Sequence, residues 1–579
     1  MRPVALAGAL ALATTLSACS IAADQTGHPP KAPADARSGG VLRVGITSPG
    51  GIDPMDAYEP VGKLISSALC DTLVTLDPDT GQVREGLARG WVLSGGSAMT
   101  VKLRHGVRFT NGQELRSRDV NYSLQQLVAP SNGVYAAGLA KQFAVSSLGT
   151  KQTSILADGD QAPDVAFGVS RYDFQLASLV QDGGSLRVFA EPALAPVSEA
   201  ARSADPTAFA SNPVCVGPYK LAKPYVGGDR VIRLVRSKGY YAQNVGYTNG
   251  GTGYADEIDF TIYPSAAAAL AAYDKGQVDV VQVPRQEVAR TRDVASRVYG
   301  LATGVEYIGL PGDSTGPFSD PDVRVALSEA VDRTKLVADV FGPAAQVATG
   351  FEPPALAITE GRSLKGKTVK GAPLASCGSS TPATPALSAA KALLAAAAAK
   401  SGAKPLSGFT LEVNNDAPYP AMARELAAQW HAGLGLDVKV TTADWSSYAA
   451  TGAGSPGFTT PFRLRWATDA TAPQPTWNDQ QQFFGPLASD AGASAANWAH
   501  FSDQAFQFAL TETAAGATEV PERGADFAQL GRTLCRQMPL IPLSFDRPAF
   551  LVRSSSVGRA RPVPVGRDGV LLLRELYLK

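Results

Sequence analysis

The N-terminus constrains this chain most, because it decides the compartment in which the rest of the sequence must fold. Arg2 precedes an apolar and small-residue run over residues 3–16. One basic residue, then about 13 apolar or small residues, then small residues at the cleavage site are typical of a secretory signal peptide. The run is shorter than the ~20 residues that span a bilayer, so it does not indicate a transmembrane anchor. Residues 1–18 are therefore predicted to be a signal peptide of an exported protein.

A cysteine stands at the predicted cleavage point. The stretch Leu16-Ser17-Ala18-Cys19 resembles the bacterial lipobox, in which the cysteine receives a diacylglycerol group and becomes the mature N-terminus. A chance cysteine in an ordinary signal peptide is the alternative. Residues 19–38 are rich in Ala, Pro, Asp and Gly without apolar periodicity, which is typical of a flexible tether. We expect lipid anchoring through Cys19 to the outer face of the bacterial cell membrane.

Composition excludes several classes of partner. The 579 residues hold 52 basic and 52 acidic side chains, so the chain carries no net charge. That balance argues against nucleic acid or an anionic membrane surface as the binding partner. Hydrophobic residues make up 45% of the sequence, enough for large cores, and the length suggests about three to four domain-sized units.

Four cysteines remain once Cys19 is set aside. An even number in an exported chain permits two disulfides with three pairings, and none of these cysteines sits in a Cys-x-x-Cys motif. Our hypothesis is the pairing Cys70–Cys215 and Cys377–Cys535, with the other two pairings left open.

Periodicity predicts an α/β protein. Residues 41–46 are apolar and β-branched, and residues 257–262 alternate in polarity, as strands do. Ser265 is placed to cap an alanine-rich helix, and residues 278–281 follow as another strand. A strand–helix–strand unit of this kind indicates parallel pairing in an α/β sheet.

Nine sequence blocks, in this order, resemble the large extracytoplasmic solute-binding proteins of family 5, the oligopeptide and dipeptide transporter group. Each block is weak alone, but their common order spans about residues 39–560. His105, Cys215 and the Ala/Gln-rich region 453–500 depart from the family pattern. The blocks are 42–45 (LRVG), 52–54 (IDP), 76–81 (LDPDTG), 86–91 (GLARGW), 103–109 (LRHGVRF), 119–123 (DVNYS), 217–221 (GPYKL), 323–333 (VRVALSEAVDR) and 539–543 (PLIPL).

This resemblance implies a two-lobed α/β fold like that of the periplasmic binding proteins (type II, large cluster), with an extra inserted α/β domain. The ligand cleft then lies between the lobes, and hinge closure buries the ligand; periplasmic binding proteins are a standard example of such closure. We expect the inserted domain at residues 71–199 and the second lobe at 306–535. The first lobe is expected to comprise residues 39–70, 200–305 and 536–579.

The resemblance also implies ligand-binding residues. In peptide-binding members an Asp three residues after a Trp holds the α-amino group of the ligand; Asp469 stands at that distance from Trp466. Arg463 is similar to an arginine that meets the ligand carboxylate, for which bidentate guanidinium geometry is suited. Arg465 alternates in phase with Arg463 and is the alternative. A solvated or capping Asp469 and an internally paired Arg463 are the structural alternatives.

Aromatic residues, Trp466 among them, complete the expected site. Trp445 resembles an aromatic that lines side-chain pockets, and Tyr135 is similar to a tyrosine of the inserted domain that touches the main chain of the ligand. Tyr58 lies in the loop after the first strand, where α/β clefts open. Packing in a core is the alternative for each of them. Trp91 and Trp498 are assigned to packing.

Enzyme motifs occur without their structural context. Residues 361–368 match the phosphate-loop pattern, but no helix is predicted to follow. Residues 312–316 match the nucleophile-elbow pattern, yet Pro317 follows at once. Ser-x-x-Lys at residues 388–391 and 401–404 has no Lys-Thr-Gly partner. The four histidines are scattered without metal-ligand spacing.

We therefore expect a protein without catalysis, cofactor or metal. The resemblance implies an anchored, extracytoplasmic monomer that captures short peptides and delivers them to the permease subunits of an ABC importer. A sugar or oligosaccharide, another uncharged solute, or a metal chelate is the alternative ligand. A ligand-sensing receptor with the same fold is the alternative role.

Overall fold

The structure, a computed structural model, describes residues 36–57, 59–79, 81, 83–94, 98–128, 156–158, 170–177, 188–241, 253–312, 316–356, 360–362, 368–370, 374–401, 405–453, 457–467, 497–516 and 520–579. Within these residues the strands form two large sheets, a smaller third sheet and short two-stranded hairpins. No helix in the described part of the chain is long and apolar enough to cross a membrane.

The first sheet is built around the strand Val41–Ile46. This strand pairs in parallel with Glu257–Ile262 on one side and Val280–Gln282 on the other. The helix Ala266–Asp274 connects those two strands and begins at Ser265, whose hydroxyl accepts a first-turn backbone hydrogen bond at 3.2 Å. The predicted strand–helix–strand unit is therefore present, with the N-terminal strand between its two strands. Across the sheet the order is Arg297–Tyr299, Ala549–Val552, Val280–Gln282, Val41–Ile46, Glu257–Ile262, Val231–Arg236 and Tyr219–Leu221.

The second sheet lies in the other lobe and is reached by two crossings of the chain. One crossing is residues 300–303, which lead into Gly304–Gly309, and the other is residues 547–548, which follow Leu540–Asp546. These two segments connect the two lobes. Across this sheet the order is Ala345–Val347, Leu540–Asp546, Gly304–Gly309, Phe462–Ala467, Gly408–Asn414 and Asp437–Ala443.

The strand Leu540–Asp546 requires a correction to the predicted boundaries. The sequence assigned it, with all of 536–579, to the first lobe. Instead it pairs antiparallel with Gly304–Gly309 and Ala345–Val347 of the second sheet, and all seven of its residues are buried. The chain returns to the first sheet only at Ala549–Val552.

The region after residue 70 carries its own small sheet, and its described buried residues join the core of the first lobe. Val101 of this sheet, Leu124 of the helix Ser117–Val128 and Leu42 of the first sheet belong to one cluster of buried residues. The second lobe has a distinct cluster around Trp430 and Tyr307. The described strands of the small sheet are, in order, Ala88–Ser94, Ala98–Leu103, Asp173–Ala177 and Leu156–Asp158.

Helices cover the two large sheets. Tyr419–Leu434 packs on the second sheet and ends at Gly435, which adopts a left-handed conformation with φ of 74°. The described α-helices are Pro60–Leu69, Ser117–Val128, Glu199–Ala204, Pro206–Ser211, Ala266–Asp274, Pro321–Glu329, Arg333–Leu336, Leu387–Ser401, Tyr419–Leu434, Trp445–Ala453, Gln504–Gly516 and Val520–Gln537.

Two disulfides join distant parts of the chain within each lobe. Cys70–Cys215 links the end of the helix Pro60–Leu69 to the segment before Tyr219–Leu221, across a sequence separation of 145. Cys377–Cys535 links a loop of the second lobe to its last helix, across a separation of 158. These are the two pairs that the sequence analysis favoured.

Candidate functional site

A cavity of about 580 Å³ lies between the two lobes. On the first lobe it is bordered by Thr47 and Val283, which follow two parallel strands of the first sheet. On the second lobe it is bordered by Asn414 and Trp445, at and after the carboxyl ends of the parallel strands Gly408–Asn414 and Asp437–Ala443. Ligands of open α/β sheets bind outside the carboxyl ends of the strands. We call this cavity the cleft.

Five charged side chains, which we call the arginine–carboxylate network, meet beside the crossing strands: Arg285, Glu306, Arg463, Arg465 and Asp546. Arg463 Nε donates to Glu306 Oε2 at 3.1 Å, and Arg465 Nε donates to Asp546 Oδ2 at 3.1 Å. Arg285 joins from the first lobe, its Nη1 lying 2.5 Å from Asp546 Oδ1 and 3.5 Å from Glu306 Oε1. Glu306 is completely buried. Burying these charges is tolerated because each carboxylate faces more than one guanidinium.

Arg463 is held on three sides. Its guanidinium carbon lies 3.7 Å from the ring centre of Tyr419, and its backbone N–H donates to the Tyr448 hydroxyl at 2.8 Å. Burial, with the nearby charge of Glu306, raises the pKa of Tyr419 to about 12, so this phenol stays neutral. Arg463 bonds Glu306 through Nε and Nη2, and no described residue accepts a hydrogen bond from its Nη1. One N–H edge therefore remains for another acceptor.

Arg285 also has donors without acceptors. Its guanidinium lies over the Phe341 ring, 4.0 Å from the ring centre, while Nη1 binds Asp546. Its Nε and Nη2 are buried and meet no acceptor among the described residues. Unmet buried donors cost free energy, and a ligand oxygen would remove that cost.

The loop after Gly408–Asn414 forms the second-lobe wall of the cleft. Asn414 is only 2% exposed, and its amide N donates to Asp416 Oδ2 at 2.7 Å. Its Oδ1 has no donor among the described residues. The peptide bond between Ala417 and Pro418 is cis, and both residues border the cleft.

Trp445 supplies an apolar surface on the same wall. It is 44% exposed, although large hydrophobic side chains are normally buried in cores. It begins the helix Trp445–Ala453 and borders the cleft. An exposed aromatic in a concave, partly charged site is typical of small-ligand pockets.

The first-lobe wall carries a third group of charges. Lys63 Nζ lies 2.7 Å from Glu191 Oε1, and both side chains are largely buried. Asp568, on the turn between Val565 and Leu571, borders the cleft beside this pair. Burial first, and then the negative charge of Glu191, raise the pKa of the Asp568 carboxyl to about 6.

The structure brings three of the predicted ligand residues, Arg463, Arg465 and Trp445, to the cleft. Trp466 lies on the opposite face of Phe462–Ala467 and packs against the second core. Because side chains alternate along a strand, the arginines and Trp466 cannot share one face. Asp469, Tyr135, Tyr58 and Cys19 fall outside the described residues.

Sequence reasoning missed Glu306, Asp546, Arg285, Asn414 and Asp568. A signal was available for the first two, because each is a charged residue within a strand of otherwise buried residues. A charge in such a run requires a partner, and so indicates an ion pair or a ligand. Nothing local marks Arg285 or Asp568, which reach the cleft only through the fold.

The motifs of other protein classes lack their structural context where it can be seen. The phosphate-loop pattern ends at residue 368, where a helix should begin. Instead the strand Thr368–Lys370 begins there and pairs with Glu360–Arg362. Among the described residues no group of three or more His, Cys, Asp or Glu side chains is placed to hold a metal ion.

The comparison with known families decides the identity of the fold. Residues 82–487 match the sequence profile of the bacterial extracellular solute-binding proteins, family 5 (middle region). The chain belongs to this family. The expected family and its two-lobed fold are therefore confirmed.

Relatives in the family span nearly the whole chain. The periplasmic murein peptide-binding protein MppA of Escherichia coli is 24% identical over 504 residues, which cover 86% of this chain and 85% of MppA. The probable deoxycholate-binding periplasmic protein YgiS of Escherichia coli is 26% identical over 544 residues, 92% of each chain. The unliganded open form of MppA superposes with a TM-score of 0.74 at 21% identity, covering 94% of this chain and 99% of MppA. At this identity the superposition establishes the fold.

Proposed function

We propose that this family-5 protein captures short peptides outside the cell and delivers them to the permease subunits of an ABC importer. It acts as a monomer held by a lipid on Cys19 to the outer face of the cell membrane. Family membership supports solute binding, and the name of MppA supports a peptide as the solute. Anchoring and delivery follow from the N-terminal sequence and from the role of this family.

The charges of the cleft favour a peptide over other solutes. A short peptide has an ammonium group at one end and a carboxylate at the other, and burying either without a partner is costly. Among the described residues, Arg463 and Arg285 have donors without acceptors, and Asp568 has a carboxylate without an ion pair. A cleft with unmet charges of both signs fits a zwitterion better than a sugar or an anionic bile acid.

The roles inferred from the family fit this arrangement. Arg463, with Arg465 as the alternative, meets the ligand carboxylate through the edge that Glu306 does not occupy. Asp469 holds the α-amino group, as its spacing from the preceding tryptophan implies. Trp445 lines a side-chain pocket, and its exposure in the cleft supports this role.

Two further aromatics keep the roles that the family implies. Tyr135 contacts the main chain of the ligand, and Tyr58 reaches the cleft from its loop. Trp466 lies on the core side of the strand Phe462–Ala467 and is therefore assigned to packing and not to ligand contact.

The proposed function requires no catalysis and depends on the difference in ligand affinity between the open and closed arrangements of the lobes. A ligand that contacts both lobes favours the closed arrangement by as much as it binds that arrangement more tightly. Residues 300–303 and 547–548 are the described segments that cross between the large sheets, so closure requires rotation about them. A sensing receptor would use the same motion.

Calorimetry with one tripeptide in three forms tests the proposal. The free, N-acetylated and C-amidated forms are each titrated into the purified protein. We expect the free form to bind most tightly, and Asp469→Asn to weaken its binding by about 1.5–3 kcal/mol. Equal affinity of the wild type for all three forms would contradict the proposed binding of the peptide termini by Asp469 and Arg463. Native mass spectrometry that found only a sugar, a metal chelate or a bile acid on the purified protein would contradict a peptide ligand.

A further inference from the structure

Within the described part of the chain, the carboxylate of Asp568 has a backbone hydrogen bond but no ion pair. Asp568 Oδ1 accepts one backbone hydrogen bond, from Val570 N at 3.1 Å, and no described cation forms an ion pair with this carboxylate. Lys63 pairs with Glu191, so the local group carries one cation and two carboxylates. The half-buried Asp568 borders both the cleft and a second cavity of about 130 Å³.

The turn that carries Asp568 is held rigidly by its neighbour Arg567. Arg567 is 2% exposed and donates to the backbone carbonyls of Pro78, Asp79 and Ala355 at 2.8–3.2 Å. These carbonyls belong to a hairpin turn next to the first lobe and to a short helix of the second lobe. The position of Asp568 is therefore fixed from both sides of the cleft before a ligand arrives.

The backbone of the turn leaves room for the carboxylate and for little else. A Cβ atom added to Gly566 would lie 2.4 Å from Asp568 Oδ1, so any other residue there would displace this carboxylate. Gly569 has a φ of +80°, a conformation that suits glycine. Two glycines thus frame an acidic side chain whose neighbouring cation, Lys63, is already paired with Glu191.

A second, independent observation on the opposite wall points to the same chemistry. Asn414 is 98% buried and borders the cleft, yet its Oδ1 meets no donor among the described residues. An unmatched amide oxygen that borders a ligand cavity is available to a hydrogen-bond donor of the ligand. Both walls therefore present acceptors to the bound molecule.

We propose that Asp568 is the cation subsite of the cleft and binds an ammonium group of the ligand, with Asn414 accepting a further N–H. This inference rests on the proposed function and adds a specificity residue to it. Two parts of a peptide can supply the ammonium group, the α-amino terminus or a lysine side chain. The shared chemistry is a primary ammonium against a preformed carboxylate.

The test uses four tripeptides and three proteins. The peptides are Ala-Ala-Ala, Ala-Lys-Ala and their N-acetylated forms, titrated by calorimetry at pH 7.5. The proteins are the wild type, Asp568→Asn and the matched control Asp256→Asn. Asparagine retains the acceptor for Val570 N, so the turn is expected to keep its shape. The side chain of Asp256 is 67% exposed and does not border the cleft, and its control substitution should leave every affinity unchanged.

We expect Asp568→Asn to lose roughly 10- to 100-fold in affinity for peptides with the ammonium that Asp568 binds. A loss of affinity confined to Ala-Ala-Ala and Ala-Lys-Ala, whose N-termini are free, identifies the α-amino group as the ligand of Asp568. A loss confined to Ala-Lys-Ala and its N-acetylated form identifies the lysine side chain. Equal affinities of Asp568→Asn and the wild type for all four peptides would overturn the subsite while leaving peptide binding intact. Failure of the wild type to bind any of them would instead contradict the proposed function.

A pH profile separates ligand contact from a merely structural role. The groups that face Asp568 are Glu191 and Lys63, and Glu191 is the one whose charge opposes ionisation. Wild-type affinity for the preferred peptide should fall as the pH is lowered through about 6, where Asp568 gains a proton. The Asp568→Asn profile should be flatter across this range. Identical profiles for the two proteins would also overturn the proposal.

Discussion

Replacing Glu306 by glutamine tests whether the arginine–carboxylate network holds the cleft together. Glu306 is completely buried and pairs with Arg463, with Arg285 and Arg465 at 3.5 and 3.6 Å. Glutamine keeps the size of the side chain and one acceptor for Arg463. It removes the negative charge, so Arg463 loses its ion pair, while Arg285 and Arg465 still face Asp546.

The magnitude follows from the burial of the pair. Breaking a buried ion pair by neutralising one partner costs about 3–5 kcal/mol, because the other charge stays buried and unpaired. We therefore expect Glu306→Gln to lower the free energy of unfolding of the second lobe by about 3 kcal/mol, the lower end, because one hydrogen bond survives. Adding Arg463→Met removes one unpaired cation, so the double variant should be more stable than the sum of the single losses predicts.

Urea unfolding followed by tryptophan fluorescence measures this loss. Five of the six tryptophans lie between residues 430 and 498, and Trp430 is fully buried in the second core, so the signal reports that lobe. Glu425→Gln is the matched control. It breaks an ion pair with Lys335, which is 50% exposed, and should cost at most about 1 kcal/mol. If Glu306→Gln cost no more than Glu425→Gln, the network would not support the lobe.

Three further outcomes follow from the structure. Replacing Cys70 and Cys215 together by serine should lower stability by about 2–5 kcal/mol in urea unfolding, and non-reducing peptide mapping of the wild type should recover both bridges; four free thiols would contradict the pairing. Ligand binding should change the emission of the 44% exposed Trp445, and Trp445→Phe should abolish most of that change; an undiminished signal would place the ligand elsewhere. Without ligand, the pKa of Asp568, about 6 against an ordinary 3.8, means that the native state binds this proton more tightly than the unfolded state. Wild-type stability should therefore fall as the pH rises between these values, and Asp568→Asn should melt higher than the wild type at pH 8 but not at pH 3.5, below the unfolded pKa; parallel melting curves would contradict this.

Strands and helices could be predicted from the sequence where their formation depends on neighbouring residues alone. The strand Glu257–Ile262 and the cap at Ser265 are set by alternation and by a first-turn hydrogen bond, which are local properties. The apolar pattern of residues 323–340 favours one helix that ends before Gly342, and this interpretation is only partly right. The helix breaks after Glu329, because the Asp332 side chain accepts from Lys335 N at 2.8 Å and starts a new helix.

The lobe assignment of Leu540–Asp546 was wrong for a different reason. Apolar runs of either large sheet look alike, and only pairing decides which sheet receives the strand. The contact with Gly304–Gly309 joins residues more than 230 positions apart, and periodicity carries no information about such a pairing.

The candidate site was predictable only in part. Residues on one strand, such as Arg463 and Arg465, could be assigned to a common face from their spacing. Their partners Glu306, Asp546 and Arg285 come from three other segments, and Asp568 comes from a turn near the C-terminus. A site built from distant segments is visible in the sequence mainly as charges that stand in otherwise buried strands.

Small-angle X-ray scattering with and without peptide tests the central claim most directly. If the cleft is a peptide site that closes by rotation about residues 300–303 and 547–548, saturation with a bound tripeptide must reduce the radius of gyration. N-acetylated, C-amidated tripeptide at the same concentration should produce a smaller change. An unchanged radius of gyration at saturation, established by calorimetry on the same samples, would contradict closure of the two lobes around the ligand.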